Sequence, residues 1–256
     1  MSGSEPLGRG VPRPFELCRG VSVLITERAG GLSSGPFATL NLSAATGDDP
    51  DAVRGNRALT LRALGPGPAR LTWMRQVHGA GVTRVAADGD GPGPDKPPAD
   101  ATFTASPRVA LGALVADCAP VLLADPVARL VGVAHAGRQG MVTGVVPALL
   151  AAMTQAGAQP PRMSALIGPA ICGLCYEVPA AMQAEVAAVV PESACLTRKN
   201  TSGVDLRAGL RVQLEWHGVA EIADDPRCPA ESAELFSYRR DGTTGRFAGV
   251  IWLTAG

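Results

Sequence analysis

Aromatic residues make up only 4% of this 256-residue chain, too few for a surface that holds nucleic acid by stacking its bases. Net charge is missing as well. Lys+Arg and Asp+Glu stand at 23 each, so no overall field draws polyanions or an anionic membrane to the protein. No apolar run approaches the roughly 18 residues of a membrane span, and Met1 to Pro14 lack the uninterrupted apolar core of a secretory signal. These absences predict a cytoplasmic protein that binds neither nucleic acid nor membrane. Six cysteines are too sparse over this length for a disulfide scaffold, and a reducing compartment keeps them as thiols. The common nucleotide-binding templates, GlyXGlyXXGly and GlyXXXXGlyLysSer, do not occur either.

What the chain does contain is apolar residues, at 46%, together with 31 Gly and 22 Pro, enough for one large core cut by many turns. We expect a disordered N-terminal segment over 1–18 and a single domain over 19–256. Short branched runs at Val21 to Thr26, Leu71 to Met74, Gly81 to Val85, Leu111 to Val115, Leu130 to Ala134, Met163 to Ile167 and Phe247 to Leu253 read as strands. Helices are expected from about Asp51 to Leu64, Met141 to Gln155, Pro179 to Val190 and Asp205 to Glu215, from their apolar spacing and their Pro and Gly punctuation. The Gly/Pro-rich stretch Asp88 to Pro98 reads as a mobile surface loop. Strands outnumber helices and several connections are too short for crossovers, which favours mixed sheets in an α+β fold.

Two of the three histidines end glycine-punctuated strands, His78 in GlnValHisGly and His135 in AlaHisAlaGly, and Cys118 follows the strand Leu111 to Val115. His/His/Cys is the donor set of a catalytic zinc site with an open fourth position. A thiolate beside an imidazole also suits nucleophilic catalysis, and the residues alone do not separate the two uses. Asp117 is a candidate partner behind the ligands, and His217 reads as a helix C-cap. Cys172 and Cys175 form a CysXXCys pair that suits a redox couple or half of a zinc knuckle. No second such pair follows, so they are expected to be structural thiols, as are Cys195 and Cys228. Arg54, Asn56 and Arg57 are expected on a solvated helical face, and Arg28 in a glycine-rich loop.

ThrGluArgAlaGlyGlyLeuSerSerGlyProPhe with LeuAsnLeu, GlyAspAspPro with AsnArg, GlnValHisGly, AspCysAlaPro, AlaHisAlaGly, IleGlyProAlaIle with CysTyrGluVal, and PheSerTyrArgArgAspGlyXThrGlyArg occur in that order. From Val21 to Leu253 the chain thereby resembles the bacterial laccase-domain proteins, also called polyphenol oxidoreductases and, more recently, purine nucleoside phosphorylases. The resemblance implies a single domain in α/β/β/α layers related to the cytotoxic-necrotizing-factor fold. It implies a zinc ion held by His78, Cys118 and His135, and phosphorolysis of adenosine, inosine, guanosine and methylthioadenosine, with some adenosine deamination. Copper-dependent phenol oxidation and a cysteine hydrolase correcting peptidoglycan precursors are the alternatives it carries. The partners are then a nucleoside and phosphate, with Arg28, Arg54, Arg57 and Arg138 as candidate phosphate binders because of their bidentate geometry. The oligomeric state stays open. One departure stands out: the family usually continues AlaHisAlaGly with TrpArgGly, and this chain has Arg138, Gln139 and Gly140.

Overall fold

Strands whose residues are buried on both faces build the centre of this protein, and their alternation sends odd and even positions into different cores. In the computed structural model, which describes residues 13–87 and 98–254, β1 (Phe15–Cys18), β2 (Val21–Ile25), β13 (Phe247–Leu253), β6 (Val109–Val115) and β3 (Arg70–Trp73) form a five-stranded sheet in that order. A six-stranded sheet follows the order β12 (Glu221–Asp224), β9 (Ser164–Ile167), β7 (Ala119–Asp125), β8 (Leu130–Ala136), β5 (Ala101–Thr104) and β4 (Val82–Arg84). β10 (Ala194–Leu196) and β11 (Ser202–Val204) make a separate ribbon. Both large sheets are mixed: β3 runs parallel to β6, β4 to β5 and β12 to β9, and the remaining pairs are antiparallel.

The helices are α1 (Pro50–Ala63), α2 (Arg138–Thr143), α3 (Val145–Gln155), α4 (Ala180–Ala187), α5 (Leu206–Trp216) and α6 (Tyr238–Asp241). Ala248, Val250 and Trp252 of β13 pack with Leu61 of α1, whereas Phe247, Ile251 and Leu253 of the same strand meet Leu122, Val131 and Val133 of the other sheet. On that second sheet Val121 and Leu123 of β7 turn the opposite way, onto Val146, Leu149 and Leu150 of α3 and Leu210 of α5. The period-2 alternation of each central strand thus serves two cores at once, and the layers are helix, sheet, sheet, helix.

Several expectations need correction. Phe15–Cys18 forms the edge strand β1, so the segment expected to be disordered is ordered over those residues, by antiparallel pairing with β2. Residues 1–12, and residues 88–97 of the loop expected from Asp88 to Pro98, lie outside the described residues. The helix expected from Met141 to Gln155 is two helices, because Gly144 takes a left-handed φ of 83° and ends α2 before α3 begins. Strands β5 and β7 were not expected. β7 opens on Ala119 and Pro120, an unusual start for a central strand, and it fits because Gly168 and Gly249 leave room for the proline ring. Asn56 does not lie on a solvated face. It is fully buried, its Oδ1 accepting from the Leu32 N–H and its Nδ2 donating to Ser33 and to the Thr39 and Asn41 carbonyls, which ties the loop after β2 to α1.

Asp125 closes the far end of β7 in the same manner. It is 0% exposed, and its carboxylate accepts from the N–H groups of Val127, Ala128 and Gln159 and from the Arg162 guanidinium. Burial alone would raise its pKa, but these donors together hold it below the usual carboxylate range. Its contribution to stability is therefore complete above the ordinary Asp value of about 3.9 and is lost as pH falls through the lower folded value. An Asp125→Asn variant is expected to lose about 3 kcal/mol at neutral pH, since an amide offers a donor where donors already converge. Urea titration of both proteins at pH 7 and pH 3 checks this: the difference between them should shrink in acid.

Candidate metal centre and its cleft

The register of three neighbouring strands assembles the site. β7 and β8 pair Ala119 with Ala136 and Pro120 with His135, so Cys118, two residues before Pro120, is a diagonal neighbour of His135 on the face that looks toward the other sheet. β5 and β8 pair Ala101 with Ala134, and the next residue back, Asp100, receives the His135 backbone N–H at 2.7 Å. His78 arrives from the turn between β3 and β4, where it holds a left-handed φ of 62°. The sulfur of Cys118 lies 3.9 Å from His78 Nε2, the two imidazoles meet edge to face at 4.6 Å, and the three ligand atoms lie within 4.8 Å of one another.

Asp100 organises this arrangement. Its buried carboxylate accepts the His135 Nδ1 at 2.9 Å and the backbone N–H groups of Val77, His78 and Gly79 at 3.1, 2.9 and 2.7 Å. One side chain thus aims the Nε2 of His135 and fixes the strained turn that carries His78, the carboxylate–histidine arrangement that commonly supports metal ligands. Gln76 pins the same turn by exchanging two hydrogen bonds with the backbone of Leu114.

The titration of the ligands follows from this geometry. Burial pushes the Cys118 thiol up, yet hydrogen bonds and charge from His135 and His78 outweigh it and bring it down to about 6. Burial likewise works against a charged His135, and the bonds to Asp100 and Cys118 raise it to about 9. The two shifts run in the directions that favour a thiolate beside an imidazolium, and a bound cation would take the place of the imidazolium proton. Three convergent N and S donors with a carboxylate behind them fit one ion of the zinc type, with a fourth position open.

His78, Cys118 and His135 line a cleft of about 590 Å³ together with Trp73, Met74, Leu114, Arg57 and Arg246, among others. The Arg57 Nε donates to the Leu42 carbonyl and its guanidinium covers the Trp73 ring at 5.3 Å. Arg246 donates to the carbonyls of Thr244 and Gly245. Burial lowers the pKa of both, and among the described residues neither has a carboxylate partner. Both line the cleft as partly desolvated cations.

Residues 22–254 match the model of the multi-copper polyphenol oxidoreductase laccase family. The chain belongs to this family. It is 54% identical over 229 residues to a purine nucleoside phosphorylase of Streptomyces coelicolor, covering 89% of this chain and 93% of the relative. A purine nucleoside phosphorylase of Corynebacterium glutamicum is 46% identical over 236 residues, covering 92% and 95%. Among solved structures, one of a Neisseria meningitidis protein superposes with a TM-score of 0.85 at 34% identity, covering 96% of this chain and all of that one. YlmD of Geobacillus stearothermophilus gives 0.84 at 31%, covering 94% of each.

For a member of the laccase family the imidazole supply is short. The chain has three histidines in all, and His217 is spent on capping α5, its Nδ1 against the Gln213 carbonyl as expected. The centre therefore offers donors for one ion and not for a copper cluster. Of the four arginines singled out in the sequence, Arg57 lines the cleft. Arg28 borders a separate cleft, where its Nε donates to the Ala38 carbonyl and its guanidinium lies near Asp241 and over the Phe236 ring. Arg54 is 72% exposed and paired with Asp51 one turn away on α1. Arg138 begins α2 immediately after Gly137, and its charge lies near Tyr176. Asp117 does not support the ligands. Its backbone has a φ of 103° and its carboxylate turns away to accept from Ser237 and the Arg239 N–H. Two residues of the site were missed, Asp100 and Arg246. The latter ends the PheSerTyrArgArgAspGlyXThrGlyArg motif, whereas Asp100 gives no signal until β5 is placed beside β8.

Proposed function

We propose that this chain is a zinc-dependent purine nucleoside phosphorylase, a glycosyltransferase acting on adenosine, inosine, guanosine and methylthioadenosine. The observation that supports this reading is the three-donor centre opening onto the same cleft as Arg57 and Arg246. In phosphorolysis a phosphate oxygen bonds to C1′ of the ribose as the C1′–N9 bond breaks, and the electron pair leaves with the purine. The two guanidiniums hold the phosphate dianion and keep it beside C1′. When bound, the zinc ion supplies Lewis acidity at the open fourth position. Asp100 holds the Nδ1 side of His135, which leaves Nε2 to the cleft, and the apolar side chains of Trp73, Met74 and Leu114 limit water. Relatives named purine nucleoside phosphorylase at up to 54% identity support the same assignment.

Incubation with inosine and phosphate is expected to release ribose 1-phosphate and hypoxanthine, and a Cys118→Ala variant to release neither. No ribose 1-phosphate from the zinc-loaded wild type would sink the proposal. Ammonia from adenosine, lost in the same variant, would mark deamination at the same centre. Arg57→Ala and Arg246→Ala are each expected to raise the phosphate KM by roughly 10- to 100-fold, the loss of about 1.5–3 kcal/mol for a charged hydrogen bond, with zinc content unchanged. Varying phosphate at saturating inosine measures this, and an unchanged KM in both variants would remove them from the phosphate site.

The thiol of Cys118, lowered to about 6, also favours a second reading, a cysteine hydrolase acting on peptidoglycan precursors. The two readings separate on metal. Hydrolysis that persists in chelator and stops on alkylation of Cys118 belongs to the second. Stoichiometric copper with oxygen consumption, in protein purified without added copper, would instead point to phenol oxidation.

A further inference from the structure

We propose that Cys172, Cys175, Cys228 and Glu231 hold a second, structural zinc ion. The sulfur atoms and a Glu231 carboxylate oxygen lie within 4.8 Å of one another. Tetrahedral zinc with Zn–S distances of about 2.3 Å places its sulfur donors roughly 3.8 Å apart, so the 4.8 Å spread needs to contract by only about 1 Å on binding. The two halves have matched spacing: CysGlyLeuCys supplies one pair and CysProAlaGlu the other, with glutamate where a knuckle usually has its last cysteine. That substitution explains why the sequence shows no second CysXXCys.

The surroundings favour an ion over a redox pair. A redox CysXXCys works as an isolated pair, whereas here a third thiol and a carboxylate converge on the same point and all three cysteines are free thiols. Thiols gathered in this way release their protons to solvent when a cation binds. Arg198 pairs with Glu231 and lies 3.9 Å from the Cys175 sulfur, an outer cation that offsets the negative charge of a three-thiolate, one-carboxylate set. Three soft donors and no histidine select zinc over magnesium or calcium.

The position gives this ion a role. It joins the turn after β9 to the turn after β12, two irregular segments with no strand or helix pairing between them. The first leads into Tyr176 and the second into Arg239, whose guanidinium covers the Tyr176 ring at 5.1 Å and bonds the Glu177 carbonyl. Arg239 also donates its backbone N–H to Asp117, the neighbour of Cys118. The second ion therefore braces the wall behind the catalytic centre.

Zinc content and cobalt spectra of the full-length protein test this. Wild type purified without added metal is expected to carry two zinc ions per chain and Cys118→Ala one. After zinc is exchanged for cobalt, Cys118→Ala, which keeps the cluster intact, should still show an intense thiolate-to-cobalt charge-transfer band. Adding Cys172→Ser and Cys228→Ser should abolish it. Should that triple variant fail to fold, Glu231→Gln in the Cys118→Ala background should release its metal to a chelator at least 10-fold more readily. Absence of the band in Cys118→Ala would overturn the proposal, as would recovery of a zinc-free disulfide among these cysteines.

Discussion

Replacing Asp100 with asparagine is expected to strip the proposed zinc centre of most of its metal and activity. The carboxylate accepts from four donors, three on the turn of residues 77–79 and one on His135. Asparagine has one oxygen, so its amide N–H₂ must face N–H groups whichever way it is turned. Removing one partner of a buried charged network costs about 3–5 kcal/mol, and losing the group behind a metal ligand lowers affinity or activity by roughly 10- to 100-fold. Both effects apply here because one side chain serves both roles. Competition with a chromophoric chelator measures zinc affinity, and a thermal melt measures stability. An Asp100→Asn protein that binds zinc as wild type does would show that the turn holds His78 without the carboxylate.

Gly137→Ala is expected to damage the centre and leave the fold intact. A Cβ at this position would stand 2.7 Å from the Cys118 sulfur and 3.3 Å from His78 Cδ2, and its next neighbour is Cys118 itself. The backbone there, with φ −86° and ψ −177°, suits any residue. The glycine is thus required for space and not for conformation. Continuing the β7–β8 register sets Gly137 opposite Cys118, which is why the clash falls on the ligand. Metal sites tolerate ligand displacements of only about 0.2 Å, and relieving a 2.7 Å contact requires more than that. Zinc affinity should fall at least 10-fold, comparable to the roughly 10- to 100-fold loss on removing a supporting group. Overpacking would lower the stability of the metal-free protein by about 1 kcal/mol. Full zinc affinity in Gly137→Ala would show that the sulfur can move without loss of coordination.

The two predictions differ in how visible their residues are in the chain. Gly137 belongs to AlaHisAlaGly, so its proximity to a ligand could be suspected from the motif. Asp100 follows a Gly/Pro-rich stretch and precedes AlaThrPheThr, a run too short and polar to announce a strand in the middle of a sheet. Arg54 and Arg57 show the same limit on a helix. Three residues apart, both carry a guanidinium, yet Arg54 pairs with Asp51 in solvent while Arg57 turns to Leu42 and Trp73 at the cleft.

The sequence by itself determined the family, the mixed α+β character, seven of the strands and the longer helices, and it pointed to His78, Cys118 and His135 as candidate metal ligands. Each of these is written in local spacing: branched runs for strands, caps for helices, motifs of adjacent residues for the donors. Only the tertiary structure decided which carboxylate stands behind the ligands, which arginines reach the cleft, and that CysGlyLeuCys meets CysProAlaGlu. Those facts depend on strand register and on contacts between segments far apart in the chain, and a one-residue change in register would turn each side chain to the opposite face.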